Sequence, residues 1–219
     1  MKQYVGRNPG GRADTPKGDV RAEALAPLLL LWCSCAYALN PSLDISQYAH
    51  NAWTVRDGFF RGAIHAIAQT PDGYLWLGTE FGLLRFDGVR PTRWQPPDGE
   101  RLPSPYVNQL LATKDGRLWI GTRAGLASWK ESKLTQYPEL AGQFILSLLS
   151  GQDGTIWVGG VGSPSGRLCA IEGARTTCYG ADGRFGAGVF SLYPSRSGIW
   201  VGAATGLWRW IKASYSARS

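Results

Sequence analysis

The sequence predicts an all-β fold made of small antiparallel sheets repeated along the chain, on three observations. Glycine and proline are abundant, 29 and 13 of 219 residues, which suits many short strands joined by tight turns and disfavours long helices. Ten tryptophans stand beside a single methionine. Four of those tryptophans, Trp76, Trp119, Trp157 and Trp200, recur in one shared context at steps of 43, 38 and 43 residues. A period of this length, with strand-like segments inside each unit, marks a repeat architecture.

In chain order, the first element is a targeting segment. Residues 1–23 carry five basic and three acidic side chains among Gly and Pro. The apolar run from Ala24 closes on the small-x-small triplet Ala36-Tyr37-Ala38. A basic leader, a short apolar stretch and an Ala-x-Ala site are the parts of a secretory signal, and the run is too short to span a bilayer as a helix. Residues 1–38 are therefore expected to be removed on export to the periplasm. Cys33 and Cys35 suggest lipidation, but Trp32 stands where a small residue is expected before Cys33.

The remaining 181 residues carry 18 basic and 13 acidic side chains. The basic residues are scattered, with no arm or run of the kind that binds nucleic acid. With two histidines and four cysteines in the whole chain, a zinc enzyme or a histidine-based active site is a poor expectation, and neither a metal nor a cofactor is expected.

A lead-in strand is expected within 39–62, followed by repeats over 63–219, with units at about 63–103, 104–141, 142–185 and 186–211, the last one truncated. Each unit opens on an apolar strand: Ile64–Ala68, Val107–Leu111, Phe144–Leu148 and Val189–Tyr193. A turn follows, with Asp72-Gly73, Asp115-Gly116, Asp153-Gly154 or Ser197-Gly198. Glycine accepts the positive φ of such hairpin turns and Asp hydrogen-bonds their backbone. The second strand is Leu-Trp-Leu-Gly-Thr or a variant, the third begins at Gly82, Gly125 or Gly206, and the fourth carries an aromatic near Trp94, Tyr137 or Tyr179. Four short strands in about 41 residues, repeated, are the pattern of a β-propeller blade.

A blade cannot bury both faces alone, so it stacks on its neighbours. The second-strand tryptophan is expected to fill the gap between successive blades, contributing about 4–6 kcal/mol gross. The glycine two residues beyond each tryptophan (Gly78, Gly121, Gly159, Gly202) is expected to mark a bulge or a close backbone approach.

The pattern Asp-Gly-x-Leu/Ile-Trp-Leu/Ile/Val-Gly-Thr-x-x-Gly-Leu resembles the two-component regulator propeller repeat. The stretch Tyr48–Gly58, followed by Ile64–Gly73 and Gly82–Gly88, is similar to the start of that family, and the likeness runs over roughly 44–211. The resemblance implies the extracytoplasmic sensor of a bacterial hybrid histidine kinase. Family propellers have seven blades, whereas this chain has room for about four, so the expectation is an incomplete arc, with kinase and transmembrane parts outside this chain. A closed four-bladed ring is the alternative, the strand around Ile45–Val55 supplying the outer strand of the last blade. An arc exposes two blade faces and is prone to association, hence a homodimer.

Cys169 and Cys178 flank a hairpin turn at Glu172–Arg175 and would face each other across it, a disulfide candidate in an oxidising compartment. His65 and His50 are read as structural. Most carboxylates sit in turns (Asp72, Asp87, Asp115, Asp153), and no acid pair for glycoside cleavage stands out. A ligand would meet the loops at one end of the central channel, where Glu80, Phe81, Arg123, the Val161–Gly166 loop, Arg184 and Phe185 are the candidates. These positions vary while their repeat neighbours do not, as in a scaffold with a tailored face. The functional expectation is a periplasmic ligand-sensing module without enzymatic activity of its own, an oligosaccharide being the ligand class the resemblance implies. A propeller glycosidase or lyase, a nonsignalling interaction scaffold and a truncated-gene remnant are the alternatives.

Overall fold

A computed structural model describes residues 51–211 apart from 98 and 197. Its fifteen strands among the described residues form four antiparallel meanders in chain order. Blade 1 holds β1 (Ile64–Gln69), β2 (Leu75–Thr79), β3 (Gly82–Phe86) and β4 (Pro91–Arg93). Blade 2 holds β5 (Val107–Ala112), β6 (Leu118–Thr122), β7 (Gly125–Lys130) and β8 (Lys133–Gln136). Blade 3 holds β9 (Phe144–Ser150), β10 (Ile156–Val161), β11 (Arg167–Glu172) and β12 (Arg175–Tyr179). Blade 4 has three described strands, β13 (Val189–Ser195), β14 (Gly198–Ala203) and β15 (Gly206–Ile211).

The Asp-Gly turns form as their chemistry dictates. Gly73, Gly116 and Gly154 all take positive φ, between 81° and 89°. In blade 1 the Thr70 hydroxyl donates to Asp72, and Asp72 accepts from the Tyr74 N–H. The same two bonds recur in blade 2 through Thr113, Asp115 and Arg117. These hairpins are thus closed by bonds within their own local sequence.

The core lies between blades. Trp76 and Leu83 of blade 1 pack with Val107, Leu110, Leu118 and Ile120 of blade 2. Trp119 and Leu126 of blade 2 meet Ile145, Ile156 and Val158 of blade 3. Leu168 and Trp157 of blade 3 meet Val189, Ile199 and Val201 of blade 4. In each case the second-strand tryptophan and the third-strand leucine point forward in chain order, and the first two strands of the next blade receive them.

Close approach explains the repeated glycines. A Cβ on Gly78 would stand 2.8 Å from Val107 Cγ1, on Gly121 2.7 Å from Ile145 Cγ2, and on Gly159 2.6 Å from Val189 Cγ1. Each glycine is a hole for a branched side chain of the next blade. A register shift in β1, β5 and β13 follows the residue that fills this knob position.

One expectation needs correction. Trp200 does not fill a gap between blades: it is 36% exposed, because no further blade packs on that side of blade 4 among the described residues. The lead-in shows no strand in its described part, where residues 51–62 form turn and loop. Trp53 nevertheless sits edge-on to Phe86 at 5.1 Å, and Phe60 is buried against Leu77 and Phe86. The targeting segment 1–38, His50 and the first part of the proposed closing strand lie outside the described residues. The open face of blade 4 fits the incomplete arc.

In blade 3, Cys169 and Cys178 stand directly opposite across β11 and β12 and are joined by a disulfide, with Cα atoms 4.1 Å apart. Among the described residues, no helix is long and apolar enough to cross a membrane.

Candidate binding face

Every inner strand begins at the same end of its blade, beside the turn between the second and third strands. That end is held rigidly by one device. The Thr79 hydroxyl donates to the Gly82 carbonyl and accepts from the Phe81 N–H. Thr122 does the same for Gly125 and Ala124. With these bonds satisfied inside the turn, the tip residues are free to face outward.

Across this end runs a ribbon of rings. His65, at the register shift of β1, stacks on Tyr106 with centroids 4.9 Å apart and planes 21° from parallel. Tyr106, immediately before β5, meets Phe144 edge-on at 6.2 Å. The Arg123 guanidinium lies 5.8 Å from the Tyr106 ring and 5.9 Å from the Phe144 ring, within cation–π range of both. Its backbone N–H donates to the Tyr106 carbonyl, which pins the turn to the ribbon. Tyr106 and Phe144 are half-buried, while His65 and Arg123 are exposed. No carboxylate pairs with Arg123 among the described residues. Beside Phe144, Gln143 is buried with its Oε1 unpartnered.

The candidates from the sequence divide sharply. Arg123 is at the centre of the ribbon. Glu80 and Phe81 are on the equivalent turn of blade 1, exposed, and lie over Gly62, but no ring or ion-pair contact ties them to Arg123 among the described residues. Arg184 is committed to Asp182 by an ion pair, which lowers the Asp182 pKa and raises that of Arg184. Its carbonyl accepts from the Thr205 hydroxyl. Phe185 is fully buried against Trp208 and Trp210; it is a core residue and cannot contact a ligand. In the Val161–Gly166 loop, Gly162 sits against Gln143 and the Ser165 hydroxyl donates to the Gly180 carbonyl.

His65, read from the sequence as structural, is exposed and stacks on Tyr106 in the ribbon. Neither Tyr106 nor Phe144 was among the sequence candidates for this face, Phe144 being read only as the start of a strand. One signal could have found them: each stands immediately before the knob residue of its blade, Val107 or Ile145.

A second concavity, about 1090 Å³, opens between blades 2 and 3 at the opposite end, beside Asp115, Arg117, Trp119 and Tyr137. Asp115 pairs there with Lys130 and lies close to Arg117, and Lys114 and Glu139 also line the concavity. Its rings, Trp119 and Tyr137, lie 5.3 Å apart with planes 32° from parallel, and the cation over Trp119, Arg117, lies close to Asp115 rather than without a carboxylate partner.

Known proteins agree with this architecture. The model of the two component regulator propeller matches residues 58–81 and 101–124. No curated protein matches the chain. The extracellular domain of a hybrid two component system from B. thetaiotaomicron superposes with a TM-score of 0.55 at 16% identity, over 74% of this chain and 26% of that one. The extracellular domain of a one component system from the same organism gives 0.53 at 21% identity, over 73% and 24%. The computationally designed protein Ika4 gives 0.53 at 18% identity, over 70% of this chain and 94% of that one. The chain therefore spans about a quarter of the length of the two sensor domains, and at these identities the likeness concerns the fold. The two component regulator propeller model thus matches within the first two blades, and the described residues fold as four successive blades of an incomplete β-propeller arc.

Proposed function

We propose that the chain is an exported sensor module which binds an acidic oligosaccharide on the His65–Tyr106–Phe144 ribbon and passes occupancy to a kinase partner outside this chain. The observation that carries the reading is the Arg123 guanidinium poised between two half-buried rings. Flat aromatic faces offer apolar area at little entropic cost and suit the apolar faces of sugar rings. A guanidinium with no carboxylate partner matches a carboxylate or sulfate in a fork geometry. Rigid turns beneath the ribbon preorganise it, so little ordering cost is incurred on binding.

The extracellular sensor domains of similar fold support an exported role, and the repeat match supports a place in two-component signalling.

Calorimetry of the purified chain against acidic oligosaccharides and their neutral counterparts tests this. Binding of the acidic series is expected to weaken at least about tenfold in Arg123→Ala, from loss of a charge-assisted bond, and comparably in Tyr106→Ala. Arg123→Lys should recover part of the loss. Binding indifferent to both residues, or equal for neutral glycans, would overturn the site. Product formation from any glycan would overturn the sensor reading in favour of an enzyme.

A further inference from the structure

The inter-blade contact is a repeated lock, and among the described residues one half is left unused on blade 1 and the other on blade 4. Three times, a forward face made of a tryptophan, a leucine and a glycine hole receives a branched knob and a second apolar residue from the first strand of the next blade. The knobs are Val107, Ile145 and Val189, all fully buried, and the holes are Gly78, Gly121 and Gly159.

Blade 4 presents a fourth forward face. Trp200 and Leu207 stand where Trp76 and Leu83 stand in blade 1, and Gly202 is the hole, with only Ser191 of its own blade near a Cβ placed there. Leu207 is 73% exposed, against 1% for Leu83 and 0% for Leu126 and Leu168. Tyr193, 69% exposed, extends the same face.

Blade 1 presents the matching rear face. By register, Ile64 opposite Thr79 is the equivalent of Val107 opposite Thr122. Ile67 opposite Leu77 is the equivalent of Leu110 opposite Ile120. Ile64 is 38% exposed and Ile67 63%, whereas Val107 and Leu110 are buried. The connector in front of this rear face is already in its inter-blade form. Phe60 packs against Leu84 and Phe86 four residues before Ile64, as Phe185 packs against Trp208 and Trp210 four residues before Val189. Trp53 meets Phe86 as Tyr179 meets Trp210. Blade 1 is thus built to follow a blade, and blade 4 to precede one.

We propose that the forward face of blade 4 (Trp200, Gly202, Leu207) binds the rear face of blade 1 (Ile64, Ile67) of a second copy of this chain, head to tail. The occupant is chosen by complementarity: the same knob-into-glycine geometry joins blades 1 to 2, 2 to 3 and 3 to 4, and the chain itself carries the missing knob. Such a contact is heterologous, with different patches on the two partners, and the association closes when the free ends of a pair meet. Isologous pairing of two Trp200 faces would bring hole to hole and leave Gly202 unfilled.

Light scattering coupled to size exclusion on the full chain, at tens of micromolar, tests the proposal with one variant per face. Ile67→Glu and Leu207→Glu place a charge at exposed positions of the isolated chain, and circular dichroism checks that each folds; Ile64→Glu and Tyr193→Glu serve in their place if either does not. The wild type is expected to form a pair or larger head-to-tail species, and each variant to be monomeric, since burying an unpaired carboxylate should weaken association at least about 100-fold. Mixing the two variants should restore a pair, because one intact rear face and one intact forward face remain. A monomeric wild type overturns the proposal. So does association that survives either variant, as it would if the apolar run 24–38 drove it. Loss in Leu207→Glu alone would replace it by isologous pairing, and failure of the mixture to associate would refute the head-to-tail geometry.

Discussion

Substituting Gly78 by alanine tests the glycine hole directly. The added Cβ would lie 2.8 Å from Val107 Cγ1, 3.1 Å from the Val107 carbonyl oxygen and 3.3 Å from Val107 Cβ. Ordinary contact needs roughly 3.4 Å or more, so blades 1 and 2 must part by about half an ångström. The carbonyl cannot swing aside, because it belongs to the first residue of a paired strand. A gap of that size forfeits about a quarter or more of each dispersion contact across it, and Trp76, Leu83, Leu110, Leu118 and Ile120 all share that interface. Overpacking of this kind costs about 1–3 kcal/mol. Gly202→Ala is the control, since its Cβ would meet only the Ser191 hydroxyl, which can rotate away. Urea unfolding, run in an Ile67→Glu background so that end faces do not associate, should show the full loss for Gly78→Ala and a change within about 0.5 kcal/mol for Gly202→Ala. In Gly78→Ala with Val107→Ala, removal of the nearest methyl should make the two losses less than additive. If Gly78→Ala proves neutral, or no worse than Gly202→Ala, the knob-into-glycine account of blade stacking is wrong.

The Trp76 indole N–H donates to the Thr70 hydroxyl at 2.9 Å, whereas Trp119 Nε1 is buried without a partner beside the equivalent Thr113. Thr70→Val should therefore cost about 1–3 kcal/mol more than Thr113→Val, from the newly unpaired buried donor, and equal losses in chemical denaturation would refute this. Asp115 has its pKa lowered to about 2, first by the Thr113 hydroxyl and then by Lys130. A depressed carboxylate contributes stability above its unfolded pKa and loses it as pH falls through the folded value. Wild type should thus lose a component of stability between about pH 4 and pH 2 that Asp115→Asn lacks, and parallel pH–stability curves for the two would sink the assignment.

What the sequence made legible follows from how local each feature is. The Asp-Gly turns and the tryptophan register depend on a few residues in a row, so their spacing announced the blades. Burial of the tryptophans is a property of two blades at once. The reading held for Trp76 and Trp119 and failed for Trp200, whose local sequence is the same but whose face meets no following blade among the described residues. Phe185 failed for a related reason. In a Gly-rich connector it reads as an exposed loop residue, yet it plugs the junction between blades 3 and 4, and only alignment of the connectors, with Phe60 also four residues before a knob, would have marked it as core. The ring ribbon was invisible because His65, Tyr106 and Phe144 are 41 and 38 residues apart in succession, and blade stacking alone brings them together.

The ribbon also shows why a repetitive scaffold can carry an asymmetric site. The position directly before the knob holds Ala63 in blade 1, Tyr106 in blade 2, Phe144 in blade 3 and Gly188 in blade 4. Rings therefore occupy this rim over blades 2 and 3, with His65 extending it onto blade 1, and none stands at the position in blade 4. The cation is equally singular: the tip that bears Arg123 in blade 2 bears Glu80 in blade 1 and Ala204 in blade 4. Identical threonine-anchored turns in blades 1 and 2 hold opposite charges at matching places, so the polarity of the rim is set by single side chains on a fixed frame. A ligand that followed the ring-to-ring steps of 4.9 and 6.2 Å would meet the guanidinium beside Tyr106 and Phe144 and a carboxylate, Glu80, only on the side of blade 1, which would give it a preferred direction. The site's chemistry can thus change at the tips without disturbing the glycine holes, because the residues that stack the blades and the residues that face outward occupy different positions of the same repeat.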